Sequence, residues 1–159
     1  MKNSPKFQLL SVSATATFLL LFALYLQIME NMAPCPLCIL QRYAFAALAL
    51  CCLAAAFMPS RAQVIATLLG LLSSLSGAGL AIWHLWIRAH PGSSCGIDPL
   101  ETALNKIFTA KLLPILFQAD GFCSTDYPPI LGASIPQWSL AWFLIFAYAL
   151  GWIFWRRPR

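Results

Sequence analysis

The chain has 159 residues, of which 60% are hydrophobic and only 9% are charged, with a net charge of +5. Water-soluble domains carry about 25% charged residues, so this composition excludes an ordinary soluble domain and indicates an integral membrane protein. The basic residues flank apolar runs and are not gathered into a patch with aromatic residues, which excludes a nucleic-acid-binding surface. The length fits a single domain.

Four apolar runs are long enough to cross a bilayer, which takes about 20 residues. The first, uncharged from Phe7 to Met29, follows Lys2 and Lys6, as in a cleaved signal peptide. We interpret it as a membrane span, because the apolar core of a signal peptide has about 7–15 residues and no clear cleavage site follows. The sequence predicts an all-α, polytopic four-helix bundle in one membrane domain, 1–159, with spans at about 9–29, 39–58, 62–87 and 138–155.

The charged residues predict the orientation of these spans. Basic residues lie at both chain ends and in the short turn at 59–61, without acidic residues. All the acidic residues fall on the opposite side: Glu30, Asp98, Glu101, Asp120 and Asp126. Because basic flanks stay in the cytoplasm, both termini are predicted to be cytoplasmic. The loops at about 30–38 and 88–137 are predicted to face outward.

The long outer loop contains an amphipathic stretch. Its apolar residues recur at helical spacing: Leu100, Leu104, Ile107, Phe108 and Leu112. This pattern predicts a short helix that lies on the membrane surface. A helix that packs on the bundle instead is an alternative of about equal weight.

Cys35 and Cys38 form a Cys-x-x-Cys motif at the predicted start of the second span. Pro36 suits the first turn of a helix, and the positive end of that helix favours a thiolate at Cys35. Cys35, Cys38 and Arg42 stand at i, i+3 and i+7, on one helix face. An arginine within a span costs about 2.5–3.5 kcal/mol, so we favour a functional role for Arg42 over snorkelling to the headgroups.

The other four cysteines sort by position. Cys51 and Cys52 fall in mid-span and are predicted to be packing residues. Cys95 and Cys123 fall in the long outer loop. Because disulfides persist outside the cytoplasm, the four outer cysteines suggest two disulfides. Adjacent Cys35–Cys38 with distant Cys95–Cys123 is the simplest of three pairings.

Three roles are open for the outer cysteines. A disulfide between Cys95 and Cys123 is either a structural clamp worth about 2–4 kcal/mol or an exchanging redox bond. The glycine and serine residues beside these cysteines, including Gly121, predict flexible flanks and favour exchange. A zinc site is less favoured because a second Cys-x-x-C motif is missing, and no metal is predicted.

His84 lies one turn inside Arg88, near the outer end of the third span. This depth matches that of Arg42, so the two residues predict a polar pocket beside Cys38. His90 lies beyond the span and is predicted to be solvated.

Several of these features together resemble the bacterial DsbB family of disulfide bond formation proteins. They are Cys35-Pro36-Leu37-Cys38 followed by Gln41-Arg42, four spans, two cysteines in each outer loop, and Ile135-Pro136-Gln137-Trp138 entering the fourth span. The resemblance covers nearly the whole chain. It implies a quinone-dependent, disulfide-generating oxidoreductase of the bacterial inner membrane, with its two outer loops in the periplasm.

The resemblance also implies roles for individual residues. Cys95 and Cys123 would react with a DsbA-type periplasmic oxidase, and Cys35 and Cys38 would pass electrons to ubiquinone or menaquinone from the membrane pool. Arg42 would contact the quinone and His84 would lie near it. The implied partners are thus a DsbA-type protein, the quinone pool and the lipid bilayer, with no nucleic acid.

Three other classes of membrane protein are alternatives to this interpretation. A vitamin K epoxide reductase-like enzyme is also a four-span thiol relay, but is expected to carry its Cys-x-x-Cys late in the bundle. A DsbI-type thiol oxidase would serve another partner. A membrane scaffold with structural disulfides, or with zinc, would have inert sulfurs.

Overall fold

The computed structural model describes residues 5–90, 97–121, 123, 125 and 127–156. Lys2, Cys95 and Asp126, which entered the predictions above, lie outside the described residues, as do the basic residues Arg157 and Arg159 of the C-terminal end. The described chain is all-helical, as predicted. Its helices are α1 Pro5–Met29, α2 Pro36–Phe57, α3 Ser60–Ala89, α4 Ile97–Lys106, α5 Phe108–Leu112, α6 Pro114–Phe117 and α7 Ile135–Trp155.

Helices α1, α2, α3 and α7 are long and apolar enough to cross a membrane, and they correspond to the four predicted spans. They extend beyond the apolar runs, chiefly at their amino ends, because polar side chains and prolines begin the helices earlier. Helix α7, for example, begins at Ile135 with a capping box in which the backbone N–H of Ser134 donates to Gln137 Oε1 at 2.7 Å. Such a cap satisfies N–H groups that lack a partner within the helix.

Helix α2 lies between α1 and α3, and α7 packs on α3. Small residues allow these close approaches. The Ser74 hydroxyl on α3 donates to the Phe143 carbonyl oxygen on α7 at 2.7 Å. The buried Phe143 ring stacks on Phe45 with a centroid distance of 4.0 Å. Cys52 is fully buried in this core, which confirms the predicted packing role. Small residues at membrane helix interfaces commonly allow such contacts.

The outer loop differs from the single helix predicted for it. The described part forms three short helices, because the backbone is extended at Ile107 and turns again at Leu113 before Pro114 begins α6. Leu104 on α4 is buried in a small cluster with Ile39 and Ala119, so this part of the loop packs on the bundle. Phe108, by contrast, is 73% exposed.

The two ends of the bundle differ in chemistry. At one end Lys6 Nζ lies 4.6 Å from the centroid of the Phe57 ring, where α1 begins and α2 ends. At the other end lie the buried side chains of Cys35, His84 and Cys123. Lys6 therefore lies at the end of the bundle opposite these cysteines and His84.

The contact between Gly77 and Phe143 gives a test of this packing. A Cβ atom added at Gly77 would lie 2.3 Å from the Phe143 ring, so we expect Gly77→Ala to lower the free energy of unfolding by about 1–3 kcal/mol. Thermal unfolding in detergent would measure the effect. The control is Gly79→Ala, where an added Cβ meets nothing within 4 Å. Equal stability of the two variants would contradict the described α3–α7 interface.

Candidate functional site

Cys35 and Cys38 are held together at the start of α2. Cys35 is the N-cap residue, and its Sγ accepts a hydrogen bond from the backbone N–H of Cys38 at 3.3 Å. Pro36 occupies the first turn, as predicted. The two Sγ atoms lie 3.1 Å apart and both residues are free thiols. A disulfide bond has an S–S length of about 2.05 Å, so the structure has this motif in its reduced form.

The electrostatics of Cys35 differ from the expectation that the helix start favours its thiolate. The pKa of Cys35 is raised, first by its hydrogen bond with the Cys38 side chain and next by burial. The backbone N–H groups of Leu37 and Cys38 act in the predicted direction and lower this pKa, but they are outweighed. The hydrogen bond with Cys38 and burial therefore favour the thiol form of Cys35.

His84 on α3 joins the two outer loops. Its Nε2 lies 3.3 Å from the carbonyl oxygen of Cys123 and 3.8 Å from Cys35 Sγ. Its Nδ1 lies 3.5 Å from Gln41 Nε2. Because the Cys123 carbonyl oxygen can only accept, we assign the ring proton to Nε2, which leaves Nδ1 to accept from the Gln41 amide. The predicted proximity of His84 to the cysteines is therefore present.

Cys123 lies directly beside the Cys-x-x-Cys motif. The Sγ atoms of Cys35 and Cys123 and a ring nitrogen of His84 all lie within 4.8 Å of one another, and all three residues are buried. Cys123 is disulfide-bonded. The predicted pairing with Cys95 falls outside the described residues and stays a prediction. In this state Cys123 has no thiolate to offer a metal.

Backbone contacts bring the two outer loops together. The Pro34 carbonyl oxygen accepts from the N–H groups of Asp120 and Gly121, both at 3.1 Å, and the Tyr127 hydroxyl donates to the Ala33 carbonyl oxygen at 3.1 Å. A Cβ at Gly121 would lie 2.3 Å from the Ala33 oxygen. The prediction that Gly121 makes a flexible flank is therefore wrong, because its lack of a side chain permits close backbone packing instead.

Arg42 is buried and donates hydrogen bonds to three polar partners. Its Nη1 donates to Gln27 Oε1 at 2.7 Å and to the Leu116 carbonyl oxygen at 3.0 Å, and Nη2 donates to the Ala23 carbonyl oxygen at 3.4 Å. The side chain is only 7% exposed, which is inconsistent with snorkelling to the headgroups. These bonds use three of its five N–H donors.

A cavity of about 370 Å³ connects these side chains. Its polar lining includes Cys35, Cys38, Arg42 and His84, so Arg42 and His84 line the same cavity as the dithiol. Most of the remaining wall is apolar and comes from α1, α7 and the loop residues Tyr127, Ile130 and Leu131. The wall includes Phe18, 63% exposed on the outer surface of the bundle. Apolar cavities with a few fixed polar groups are typical small-molecule sites.

Sequence reasoning missed Gln27 and Gln41 as parts of this site. Both are uncharged amides inside apolar spans, and that placement is the signal that could have revealed them, because buried polar groups need partners. His90, in contrast, lies outside the site. It is exposed and stacks on Trp86 with a centroid distance of 4.6 Å.

A bundle of four membrane-spanning helices that holds a reduced dithiol beside a further cysteine defines a class of membrane thiol proteins. The chain matches the family model described as disulfide bond formation protein DsbB over residues 5–153. It is 59% identical over 150 residues to disulfide bond formation protein B of Herminiimonas arsenicoxydans, covering 94% of each chain. A relative of the same name from Ralstonia nicotianae is 45% identical over 148 residues, covering 93% of this chain and 92% of the relative.

The chain therefore belongs to the DsbB family of disulfide bond formation proteins. This assignment confirms the resemblance drawn from the sequence and makes the chain a multi-pass inner-membrane protein of disulfide bond formation. It argues against a vitamin K epoxide reductase-like enzyme and against a scaffold with inert sulfurs.

The close approach at Gly121 gives a direct test of the contact between the loops. In Gly121→Ala the new methyl group would meet the Ala33 carbonyl oxygen and push the loops apart. We expect stability to fall by about 1–3 kcal/mol and alkylation of reduced Cys35, now only 2% exposed, to become faster. The control is Gly151→Ala, where an added Cβ meets nothing within 4 Å. Unchanged alkylation of Cys35 in Gly121→Ala would refute the packing.

Proposed function

We propose that this protein is a thiol:quinone oxidoreductase that reoxidises a periplasmic DsbA-type dithiol oxidase. The observation that carries the proposal is the position of Cys35 Sγ, which lies 3.1 Å from Cys38 Sγ and within 4.8 Å of Cys123 Sγ. Cys35 Sγ is thus close both to Cys38 of its own pair and to Cys123 of the loop pair. Thiolate–disulfide exchange needs such proximity, because it proceeds by direct attack of one sulfur on another.

The orientation that we propose places these sulfurs in the periplasm. Lys6 and Arg61 lie at the opposite end of the bundle from Cys35 and Cys123, and basic flanks favour the cytoplasmic side. Both termini are then cytoplasmic. A soluble periplasmic partner would meet the loop cysteines, whereas Arg42 lies below them within the bundle.

The first exchange involves the loop pair. A thiolate of the partner attacks the Cys95–Cys123 disulfide at Cys95, forming a mixed disulfide and releasing Cys123 as a thiolate. The Cys123 thiolate then attacks Cys35 in the oxidised Cys35–Cys38 disulfide. The Cys35–Cys123 bond forms, the Cys35–Cys38 bond breaks, and Cys38 leaves as a thiolate. His84 Nε2–H, 3.8 Å from Cys35 Sγ, is placed to stabilise negative charge on sulfur during this exchange.

A second exchange releases the partner. Its remaining thiol attacks the mixed disulfide, which oxidises the partner and frees Cys95 as a thiolate. Cys95 attacks Cys123 in the Cys35–Cys123 disulfide, so that the loop disulfide re-forms and Cys35 leaves as a thiolate. Free thiols at Cys35 and Cys38 beside a disulfide-bonded Cys123, as described here, correspond to this stage of the cycle.

The cavity fits a quinone ring in chemistry and in size. Its wall is largely apolar, and pockets for small ligands have volumes of about 300–1,000 Å³. When bound, a quinone would accept two electrons and two protons from the dithiol. Arg42, with two N–H donors beyond its three described hydrogen bonds, would hold a quinone oxygen and stabilise negative charge there. Cys35 and Cys38 both line this cavity. Because Cys38 lies one turn above Arg42 on α2, we assign to it the transfer of electrons to the quinone.

Redox potentials show why an acceptor beyond the cysteines is needed. DsbA has a potential of about −120 mV, whereas stable structural disulfides lie below about −300 mV. This difference of about 180 mV corresponds to about 8 kcal/mol for two electrons. An ordinary disulfide would therefore be unable to reoxidise such a partner, and a quinone would draw the electrons onward.

The role of Arg42 can be tested by substitution. We expect Arg42→Ala to lower quinone-dependent turnover by about 10²-fold, because it removes the cationic donor, while exchange with a DsbA-type substrate continues. Gln27→Leu, which removes the 2.7 Å hydrogen bond but keeps the charge, should lower turnover less. Arg61→Ala, at an exposed position, is the control. Unchanged quinone affinity and turnover in Arg42→Ala would contradict the assignment.

The order of the relay can be tested at Cys38. In Cys38→Ala the sulfur nearest the quinone site is missing, so we expect electrons to enter from the partner but quinone reduction to stop. Stopped-flow absorbance of the quinone and mass spectrometry of mixed disulfides would follow the two steps. Cys51→Ala, which removes a half-buried thiol outside the relay, serves as control. Normal quinone reduction by Cys38→Ala would rule out this order.

A further inference from the structure

Three side chains that commonly bind metals converge at the cysteine end of the bundle, and a fourth, Cys38, adjoins one of them. The ligand atoms of Cys35, His84 and Cys123 lie within 4.8 Å of one another, and Cys38 Sγ lies 3.1 Å from Cys35 Sγ. We propose that complete reduction of the protein, including Cys123, creates a Cys₃His site for a thiophilic divalent ion such as Zn²⁺. The site goes beyond the proposed function, and its existence depends only on these four side chains.

The distances from Cys35 Sγ to the other ligand atoms are close to those of a tetrahedral centre. Zn–S bonds of about 2.3 Å and Zn–N bonds of about 2.0–2.1 Å place neighbouring ligand atoms about 3.3–3.8 Å apart. Cys35 Sγ and His84 Nε2 are already 3.8 Å apart, and the sulfurs of Cys35 and Cys38 are closer still. The Sγ atom of Cys123 lies within 4.8 Å of the ligand atoms of Cys35 and His84, so it would have to move by about 1 Å at most. Reduction of its disulfide permits this movement.

Ligation by His84 requires a change of tautomer. In the described state Nε2 donates to the Cys123 carbonyl oxygen, so a metal at Nε2 needs the ring proton to move to Nδ1. Gln41 lies beside Nδ1 at 3.5 Å, and rotation of its amide would present an oxygen that accepts from Nδ1–H. A ligating histidine commonly has its second nitrogen held by such a partner.

The charge of the complex also fits its surroundings. The thiols of Cys35, Cys38 and Cys123 would each lose a proton on binding, so that three thiolates, a neutral imidazole and a divalent ion carry one negative charge in total. Arg42 and Arg88 line the same cavity, and their guanidinium groups would stabilise this charge in a buried site.

Metal binding would depend on the redox state. The oxidised protein lacks the thiolates, whereas dithiol substrate or a phosphine reductant would generate them when no electron acceptor is available. If the proposed relay is correct, a bound metal would occupy Cys35, Cys38 and Cys123 together and stop thiol exchange. Soft metal ions would then inhibit the reduced enzyme selectively.

Cobalt binding tests the site without relying on turnover. The full chain in detergent, with Cys51→Ala and Cys52→Ala to remove the two mid-span thiols, would be reduced with a phosphine, freed of reductant under anaerobic conditions and titrated with Co²⁺. We expect a single Co²⁺ per reduced chain, with the visible absorption of tetrahedral cobalt and a thiolate charge-transfer band. We expect no such spectrum from the oxidised chain.

Substitutions then assign the ligands. We expect Cys123→Ser and His84→Asn each to weaken Co²⁺ binding by about tenfold or more, as even the loss of outer-shell partners typically costs about 10–100-fold. His90→Asn, at an exposed histidine outside the cluster, should bind as the parent does. Circular dichroism would check that each variant keeps its helices, and the comparison of reduced with oxidised parent requires no ligand substitution. Equal binding by both redox states, no binding by either, or full affinity in folded Cys123→Ser and His84→Asn would overturn the proposal.

Discussion

The carbonyl oxygen of Pro34 accepts hydrogen bonds from the backbone N–H groups of Asp120 and Gly121, both at 3.1 Å, and the site depends on this contact. It fixes the second outer loop against the first, at the residue just before Cys35, the N-cap of α2. Cys123 follows Gly121 by two residues and is thereby placed beside Cys35. The contact requires a residue without a side chain, because a Cβ at Gly121 would collide with the Ala33 carbonyl oxygen.

The buried Arg42 side chain performs a related task deeper in the bundle. A buried charge is costly unless its donors are satisfied, and here the guanidinium bonds to Gln27 and the Ala23 carbonyl oxygen on α1 and to the Leu116 carbonyl oxygen on α6. These bonds hold a short loop helix and two membrane helices around the same cation. The cysteines at the start of α2 and the proposed quinone site are therefore held by the same hydrogen-bonded helices.

Much of this arrangement follows from the sequence, because helical periodicity fixes which residues of one helix share a face. Cys38 and Arg42 line one cavity for that reason, and counting turns from the end of α3 placed His84 at the right depth. Contacts between elements were harder to predict. The partners of Gln27 and Gln41 depend on how each helix is rotated in the bundle, and the tight packing at Gly121 depends on a loop that is distant in sequence.

The most direct test of the central claim is whether Cys35 and Cys123 bond to each other. In Cys38→Ala combined with Cys95→Ala, the proposed disulfide partners of both sulfurs are removed, and mild oxidation of the membrane-embedded protein can be followed by mass spectrometry of its peptides. With the two Sγ atoms within 4.8 Å, a Cys35–Cys123 disulfide should form within single chains and in most of the protein. Persistent free thiols at both positions, or links only between different chains, would contradict the relay.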